Sequence, residues 1–349
     1  MKWMDGFHQP GVAAALGAAL LFGAGTPLAK SLLGSIDPWL LAGLLYLGAG
    51  IGLTLYRYLS HAPSVHLSRT ELPWFAGAIV MGGMIAPVLL MVGLTGMPAA
   101  GVSLMLNAES VFTALLAWFV FRENFDRRIA LGMLVIIAGA VVLSWPTQAN
   151  VFQLWPTLAV LGACFAWGVD NNLTRKVSLT DATWIAAVKG LTSGTVNLVL
   201  AFWFGALFPA LLPVIGAMIV GLLAYGVSLT LFVVGLRHLG TARTGAYFSI
   251  APFFGAVLAI IMGEPVTLPL IVAGLLMALG VWLHLTEQHA HAHDHPALWH
   301  THEHVHDEHH QHSHDEPLAP GQSHNHAHQH EPLTHSHVHF PDSHHQHRH

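Results

Sequence analysis

Three ionisable residues, Glu109, Asp170 and Lys189, lie within long apolar segments of the 349-residue chain. An ionisable group in apolar surroundings is costly unless it has a partner or faces a polar cavity. Amide side chains accompany these charges at several positions. The pattern predicts a polar binding site inside an apolar body, with the candidate residues Asp170, Asn171, Asn172, Glu109, Asn107, Lys189 and Lys30.

A second chemical feature is the C-terminal segment, which holds most of the 28 histidines of the chain. Imidazole is a good ligand for Zn²⁺, Ni²⁺, Co²⁺ and Cu²⁺. The histidines often recur every second residue, which suits an extended chain, but the many prolines and few apolar residues predict a disordered tail. Loose metal sites are expected, although a pH-sensing or merely solubilising tail remains open. The candidate metal ligands are His289, His291, His293, His295, His302, His304, His306, His309, His310, His312, His314, His324, His326, His328 and His330, with more at His335, His337 and His339.

The composition indicates the surroundings in which these polar residues lie. Hydrophobic residues make up 54% of the chain and charged residues only 9%, whereas soluble globular proteins carry about 25% charged residues. This predicts an integral membrane protein and disfavours a soluble enzyme. The sequence has no dense Lys/Arg surface that would favour nucleic acid. It also has no P-loop and no nucleophile–base set, so neither an ATP-driven pump nor an enzyme is indicated.

Ten apolar stretches approach the length of about 20 residues that a membrane helix needs. The first is too long for a cleavable signal sequence and is expected to be a retained span. The stretches cover residues 11–33, 39–59, 73–93, 98–121, 126–145, 154–174, 183–204, 211–236, 241–262 and 267–286.

Basic residues concentrate in the even-numbered connections between these stretches, which the positive-inside rule assigns to the cytoplasm. With an even number of spans, both termini are then expected in the cytoplasm, and the protein in the cytoplasmic membrane. The basic residues in question are Arg57, Arg69, Arg122, Arg127, Arg128, Arg175, Lys176, Arg237 and Arg243.

The two halves of the apolar body resemble each other. The run 16–18 (Leu-Gly-Ala) recurs at 161–163, and Trp39 matches Trp184 at the same offset. Each half has five spans, an odd number, so the second copy must lie inverted relative to the first. The prediction is an all-α integral membrane protein with one five-helix repeat in residues 1–148, a second in 149–288 and a tail in 289–349.

Small residues recur four positions apart in the second span of each half, as in Gly48 and Gly52 or Gly190 and Gly194. This spacing allows helix backbones to approach closely. We therefore expect these glycines to serve packing.

These segments resemble the drug/metabolite transporter superfamily, specifically tandem EamA-type domains. The likeness is carried by the run Phe22–Lys30 in the first span, by Trp167 and Gly168 in the second copy, and by helices that end at Glu123 and Glu264. The fifth helix of each half bears matching glycines, namely Gly132, Gly139, Gly274 and Gly280. The resemblance implies ten spans and an alternating-access transporter, and the tail lies outside it.

Three functions stay open at this stage. The first is a secondary transporter, typically an exporter, of small metabolites or drugs, with no required cofactor and a possible homodimeric assembly in the bilayer. The second is a transporter of divalent Ni, Co or Zn ions whose tail captures the metal. The third is a membrane-anchored metal store or sensor. Glu123 and Glu264, at span ends, are expected to be caps or gating contacts, and Asp170 either binds solute or proton or forms a structural ion pair with Lys189.

Overall fold

The computed structural model describes residues 10–65, 67–120, 127–145, 154–177, 180–285, 289–295, 298–304, 324–330 and 333–339. The chain divides into two compact units, residues 1–287 and residues 288–349. The first unit is helical and the second contains strands.

Helices form the first half of the helical unit. A π-helical segment, Ile79–Ile85, lies between the third and fourth helices of this half and is called the first π segment. The helices are α1 Pro10–Leu32, α2 Pro38–Leu59, α3 Leu72–Ala78, α4 Ala86–Gly96, α5 Ala99–Met105, α6 Ala108–Phe119 and α7 Arg127–Ser144.

The second half repeats this order. A short 3₁₀ turn, Arg175–Val177, follows α8, and the second π segment, Leu222–Val227, joins α10 to α11. The helices are α8 Trp155–Thr174, α9 Ala182–Trp203, α10 Leu211–Gly221, α11 Ser228–Phe248, α12 Ala251–Ile261 and α13 Leu268–Leu285.

Most predicted spans are confirmed as apolar helices. Among the described residues, six helical stretches are long and apolar enough to cross a membrane, and three shorter apolar helices cover residues 130–144, 251–261 and 268–283. The sixth predicted span is α8, a 20-residue helix that carries three polar residues near its end. Together these helices account for the ten predicted spans and form a multi-pass membrane fold.

One predicted boundary falls inside a helix. Spans eight and nine were expected to separate at residues 237–240, but α11 continues to Phe248. The Phe232 and Phe248 rings are nevertheless only 4.9 Å apart, whereas sixteen positions along a straight helix would span about 24 Å. The chain therefore reverses within α11, and two antiparallel segments are present as the sequence predicts.

Helices α2 and α9 occupy equivalent places in the two halves and have matching ends. Asp37 caps the start of α2 and Asp181 caps the start of α9, each by accepting hydrogen bonds from two backbone N–H groups of the first turn. Such caps satisfy donors that a helix start otherwise leaves unpaired. Beyond the other end of each helix, His61 and Gly205 have a left-handed backbone, which is common after a helix C-terminus. These shared ends support the internal duplication.

Helices α2 and α9 pack against each other along glycines. A Cβ added to Gly190 would lie 2.7 Å from the backbone nitrogen of Gly50, and one added to Gly194 would lie 2.7 Å from Cα of Leu47. The predicted packing role of these glycines is therefore confirmed. Because real Cβ atoms do not approach a backbone this closely, the crossing requires residues without a side chain.

The first helix of each half packs against the other half. A Cβ on Gly23 of α1 would lie 3.0 Å from the backbone nitrogen of Gly255 in α12, and one on Gly168 of α8 would lie 3.0 Å from that of Thr113 in α6. Gly23 and Gly168 are the glycines that the internal repeat equates. The two halves thus exchange their first helices, and neither half closes its core alone.

The tail makes up the second compact unit of the chain. Its described residues form four strands, β1 His289–His295, β2 Leu298–His304, β3 His324–His330 and β4 Leu333–His339. Strand β1 pairs with β4 and β2 pairs with β3, both antiparallel. Alternation of histidine with a second residue type fits the two-residue period of a strand, and disorder of the tail as a whole stays a prediction. The remaining tail residues, including His306, His309, His310, His312 and His314, lie outside the described residues.

The crossing of α2 and α9 gives a direct test. Gly190→Ala should lower stability by about 1–3 kcal/mol, because the three atoms nearest to its Cβ would be backbone atoms of Gly50 and Tyr46. Gly101→Ala in α5 is the matched control, since a Cβ there meets nothing within 4 Å, and alanine should gain about 0.5–1 kcal/mol over a helical glycine. Melting curves in detergent measure both. Equal melting temperatures for the two variants would contradict the close crossing.

The ends of α2 and α9 are also joined by an ion pair, Arg57 to Asp181 at 2.9 Å. Partial burial acts to raise the pKa of Asp181, but hydrogen bonds from Thr183 and Arg57 outweigh it, and the pKa lies below its ordinary value. The ion pair therefore stabilises the fold above the ordinary aspartate pKa and is lost as the pH falls through the lowered one. Asp181→Asn should lower the melting temperature at pH 7 and make little difference at pH 2. A difference in melting temperature that is as large at pH 2 as at pH 7 would contradict this assignment.

Candidate functional site

A buried ion pair links α8 to α9. The Lys189 ammonium donates to Oδ2 of Asp170, and the Thr174 hydroxyl donates to Oδ1 at 2.9 Å. Asp170 is only 5% exposed. Both carboxylate oxygens therefore have a donor, as a charge in an apolar interior requires. The sequence left open whether Asp170 pairs with Lys189, and the structure shows that it does.

The first π segment provides the space for this carboxylate. A Cβ on Gly82 would overlap the Asp170 carboxylate and lie 2.6 Å from its Cβ. The Gly82 carbonyl accepts hydrogen bonds from the Tyr46 hydroxyl at 2.7 Å and from the Trp167 indole at 3.0 Å. A π turn interrupts the regular i→i−4 ladder, and these two side chains meet the carbonyl at the interruption. Gly82 thus joins α2, α8 and the ion pair.

Helix α9 presents a polar stripe to the same segment. Lys189, Ser193 and Asn197 follow one another at four-residue spacing, which places them on one face. The Asn197 amide donates to the Gly83 carbonyl at 3.2 Å, and the Trp39 indole donates to Oδ1 of Asn197 at 3.2 Å. The π segment is therefore held by side chains along two turns of α9.

Glu109 lies beside the ion pair in a second polar cluster. Its carboxylate accepts from the Asn171 amide at 2.8 Å, and the same amide contacts the Thr113 hydroxyl at 3.2 Å. Asn171 continues the face of α8 that carries the buried residues Cys164 and Trp167, yet it is itself exposed. The exposed end of this polar contact between α6 and α8, formed by Asn171 and Glu109, is called the polar opening.

Two further candidate amides satisfy backbone groups instead. The Asn172 amide donates to the carbonyls of Gly168 at 2.8 Å and Thr113 at 3.1 Å. The Asn107 amide donates to the Leu104 carbonyl at 2.9 Å, where α5 gives way to α6. Both side chains are buried. They stabilise the helices around the two polar clusters rather than lining the opening.

Lys30 and Glu264 both bind backbone groups near the connection between α4 and α5. The Lys30 ammonium donates to the carbonyls of Leu94 and Met97. The Glu264 carboxylate accepts from the backbone N–H groups of Ala99 at 2.6 Å and Ala100 at 2.8 Å. Both residues thus bind the connection between α4 and α5, one on each side of it.

Glu264 thus accepts hydrogen bonds from the first two N–H groups of α5, and its role as a cap or a gating contact stays a prediction. Lys30 is not part of the polar clusters around Asp170 and Glu109, so the structure separates it from the other candidates. Glu123, the counterpart of Glu264 in the first half, lies outside the described residues. That any candidate residue binds a solute stays a prediction.

The charged site interrupts the likeness between the two halves. The repeat equates Asp170 with Gly25. A Cβ on Gly25 would lie 2.9 Å from Cβ of Ala224 in the second π segment, just as Asp170 faces Gly82 in the first. The same two positions therefore touch in both halves. In one contact the glycine, Gly82, lies in the π segment, whereas in the other the glycine, Gly25, lies in the first helix of a half.

Several residues of the site were not predicted from the sequence. Tyr46, Trp167, Ser193 and Gly82 are among them, because their role depends on a π turn for which the sequence shows no signal. The sequence shows Asn197 only as a neutral amide within an apolar span. Its four-residue spacing from Lys189 through Ser193 was the signal that would have identified the stripe.

Two five-helix copies of opposite orientation, with charged and amide groups between their helices, define a membrane transporter of the inverted-repeat class. The chain belongs to the EamA-like transporter family, which matches residues 9–145 and 154–286 as two consecutive copies. The match confirms the predicted duplication and the ten-span fold.

Individual relatives agree with this family. The chain is 29% identical to an uncharacterized transporter of Methanothermobacter thermautotrophicus, over 76% of this chain and 83% of that one. It is 24% identical to the pseudopaline exporter CntI of Pseudomonas aeruginosa, over 62% of this chain and 74% of the exporter. A crystal structure with 18% identity superposes with a TM-score of 0.60, covering 78% of this chain and 95% of the other, and shows the same fold.

The fit between Gly82 and Asp170 can be tested by a double-mutant cycle. Gly82→Ala should destabilise the protein, because the new Cβ would overlap the carboxylate. In an Asp170→Ala background the same change should be milder, with a coupling of about 1–3 kcal/mol between the two sites. Thermal unfolding of the four proteins in detergent measures the coupling. Additive effects would show that Gly82 does not serve to accommodate Asp170.

Proposed function

We propose that this membrane transporter is a secondary-active exporter of small polar metabolites, working by alternating access between its two halves. The observation that carries the proposal is the buried Asp170–Lys189 pair beside the polar opening. Ionisable groups at such depth in a membrane protein commonly mark a solute or proton pathway. The Asp170–Lys189 pair occurs in one half only. Because both halves share the same packing needs, this asymmetry favours a role of the pair in binding the solute.

The two charges favour a zwitterionic solute. A solute with both an ammonium and a carboxylate group offers a partner to Asp170 and to Lys189 at once. It can therefore replace their mutual contact without leaving either charge unpaired, which would cost several kcal/mol in a buried site. Glu109 and Asn171 stand at the opening and supply further hydrogen-bonding groups.

The end of the bundle at which the polar opening lies supports export. We place both termini in the cytoplasm, because the basic residues concentrate in the even-numbered connections. The Lys30 and Glu264 contacts then close the outer end of the bundle, while Asn171 lies near the cytoplasmic end of α8. This arrangement corresponds to a state that loads solute from the cytoplasm, and the exporter name of one relative agrees with it.

A divalent metal cation is the second candidate solute, favoured by the histidine-rich tail. The site itself argues against it, because Lys189 places a positive charge on the carboxylate that the metal would need. Two like charges at one carboxylate repel each other strongly in surroundings of low polarity. Metabolite export is therefore the better-supported proposal.

Proteoliposomes loaded with a mixture of the common amino acids provide the test. Efflux, measured by mass spectrometry, should fall roughly ten- to a hundredfold in Asp170→Asn, the equivalent of losing one charged hydrogen bond of about 1.5–3 kcal/mol. The matched control is Asp37→Asn, which keeps a good helix cap and should transport normally.

Parallel vesicles report Zn²⁺ and Ni²⁺ movement with a fluorescent indicator. Metal flux that depends on Asp170, with no amino-acid efflux, would replace the proposal by metal transport. Normal amino-acid efflux by a well-folded Asp170→Asn protein would show that the pair is structural.

A further inference from the structure

The hydroxyl of Ser103 is buried in α5 without a hydrogen-bond partner. The residue is 1% exposed, and among the side chains that the structure describes, its Oγ is the one buried polar atom left unpaired. Ser228 of α11 is buried to the same extent, but its hydroxyl donates to the Ala18 carbonyl at 2.8 Å. Because an unpaired polar group is costly in an apolar interior, packing alone does not account for a serine at position 103.

Ser103 lies where α5 meets α1 and α12. A Cβ added to Gly255 of α12 would lie 2.7 Å from the Ser103 Oγ and 2.7 Å from the Gly23 carbonyl oxygen of α1. In a regular helix that carbonyl would accept from the N–H of residue 27, but Pro27 has no N–H to donate. The junction of the three helices therefore places a hydroxyl and a carbonyl oxygen beside a glycine that offers them no side chain.

Charged contacts hold this junction together at one end. The Glu264 carboxylate, just beyond α12, accepts from the backbone N–H groups of Ala99 and Ala100, which lie one helical turn before Ser103. The Lys30 ammonium, near the end of α1, holds the connection that leads into α5. Release of these contacts would let α5 part from α1 and α12 and would uncover the Ser103 hydroxyl.

We propose that Ser103 is a solute-binding residue on the exit path, covered in this state and uncovered when α5 parts from α1 and α12. This inference rests on the export of a zwitterionic solute proposed above and adds a binding position beyond the Asp170–Lys189 pair. The uncovered hydroxyl donates to a carboxylate oxygen of the solute. The hydroxyl thus gains in the open state the partner that it lacks in the closed one, and solute binding favours the open state.

Cysteine labelling tests the opening without any solute. Cys164 is the single cysteine of the chain, so Ser103→Cys in a Cys164→Ala background gives one reactive thiol, which is labelled with a maleimide in proteoliposomes. Adding Glu264→Ala should speed the labelling roughly tenfold or more, because two charged hydrogen bonds to α5 are lost. The matched control is Ser228→Cys in the same background. It should label slowly with and without Glu264→Ala.

Stability and efflux test the role of the hydroxyl itself. Ser103→Ala should raise the melting temperature in detergent, because it removes an unpaired buried group. The same variant should slow amino-acid efflux from proteoliposomes roughly three- to tenfold, the equivalent of losing about one hydrogen bond to the solute. The matched control, Ser228→Ala, should lower the melting temperature, because it removes the hydrogen bond to Ala18, and should keep normal efflux.

Two results would overturn the proposal. The first is labelling of Ser103→Cys that Glu264→Ala does not speed, or that it speeds equally in Ser228→Cys, since α5 would then not part from its neighbours at this junction. The second is normal efflux by Ser103→Ala, which would exclude a contact with the solute. If the unaltered protein moves no amino acid while Glu264→Ala still uncovers Ser103→Cys, the proposed solute fails and the opening of the junction stands.

Discussion

The lack of water inside a membrane bundle is the constraint on which this structure depends. Asp170 can remain charged there only because Lys189 and Thr174 donate to it. The pair in turn requires Gly82, since any larger residue would occupy the space of the carboxylate. The carbonyl at the π turn needs donors for the same reason, and Tyr46 and Trp167 provide them. One buried charge thus accounts for the residue types on three helices.

The helices must also approach one another closely, and glycines rather than large apolar side chains allow this. Lipid is as apolar as leucine, so helices in a membrane associate through close packing and hydrogen bonds. Gly50 and Gly190 bring α2 and α9 together at the centre of the bundle. Gly23 and Gly168 do the same where the halves exchange their first helices. Each half consequently depends on the other for its core.

The fold was largely predictable from the sequence, and the site only in part. Apolar runs of membrane-spanning length and the repeated Leu-Gly-Ala motif were sufficient for ten spans and two inverted copies. Glu109, Asp170 and Lys189 stood out because a charge in an apolar run is rare. The roles of Gly82, Tyr46 and Trp167 could not be predicted, since they depend on a backbone carbonyl at a π turn. The histidine alternation in the tail is compatible with both disorder and strands, because a two-residue period alone does not determine whether a strand finds a partner.

The two π segments occupy matching places in the two copies, at Ile79–Ile85 and Leu222–Val227. A local irregularity shared by both copies belongs to the common plan of the repeat. The Asp170–Lys189 pair occurs in one copy only, because the first copy has Gly25 where the second has Asp170. The wide turn therefore meets a carboxylate in one half and a glycine in the other. The two copies thus share one scaffold, and a single charged position distinguishes the surroundings of one turn from those of the other.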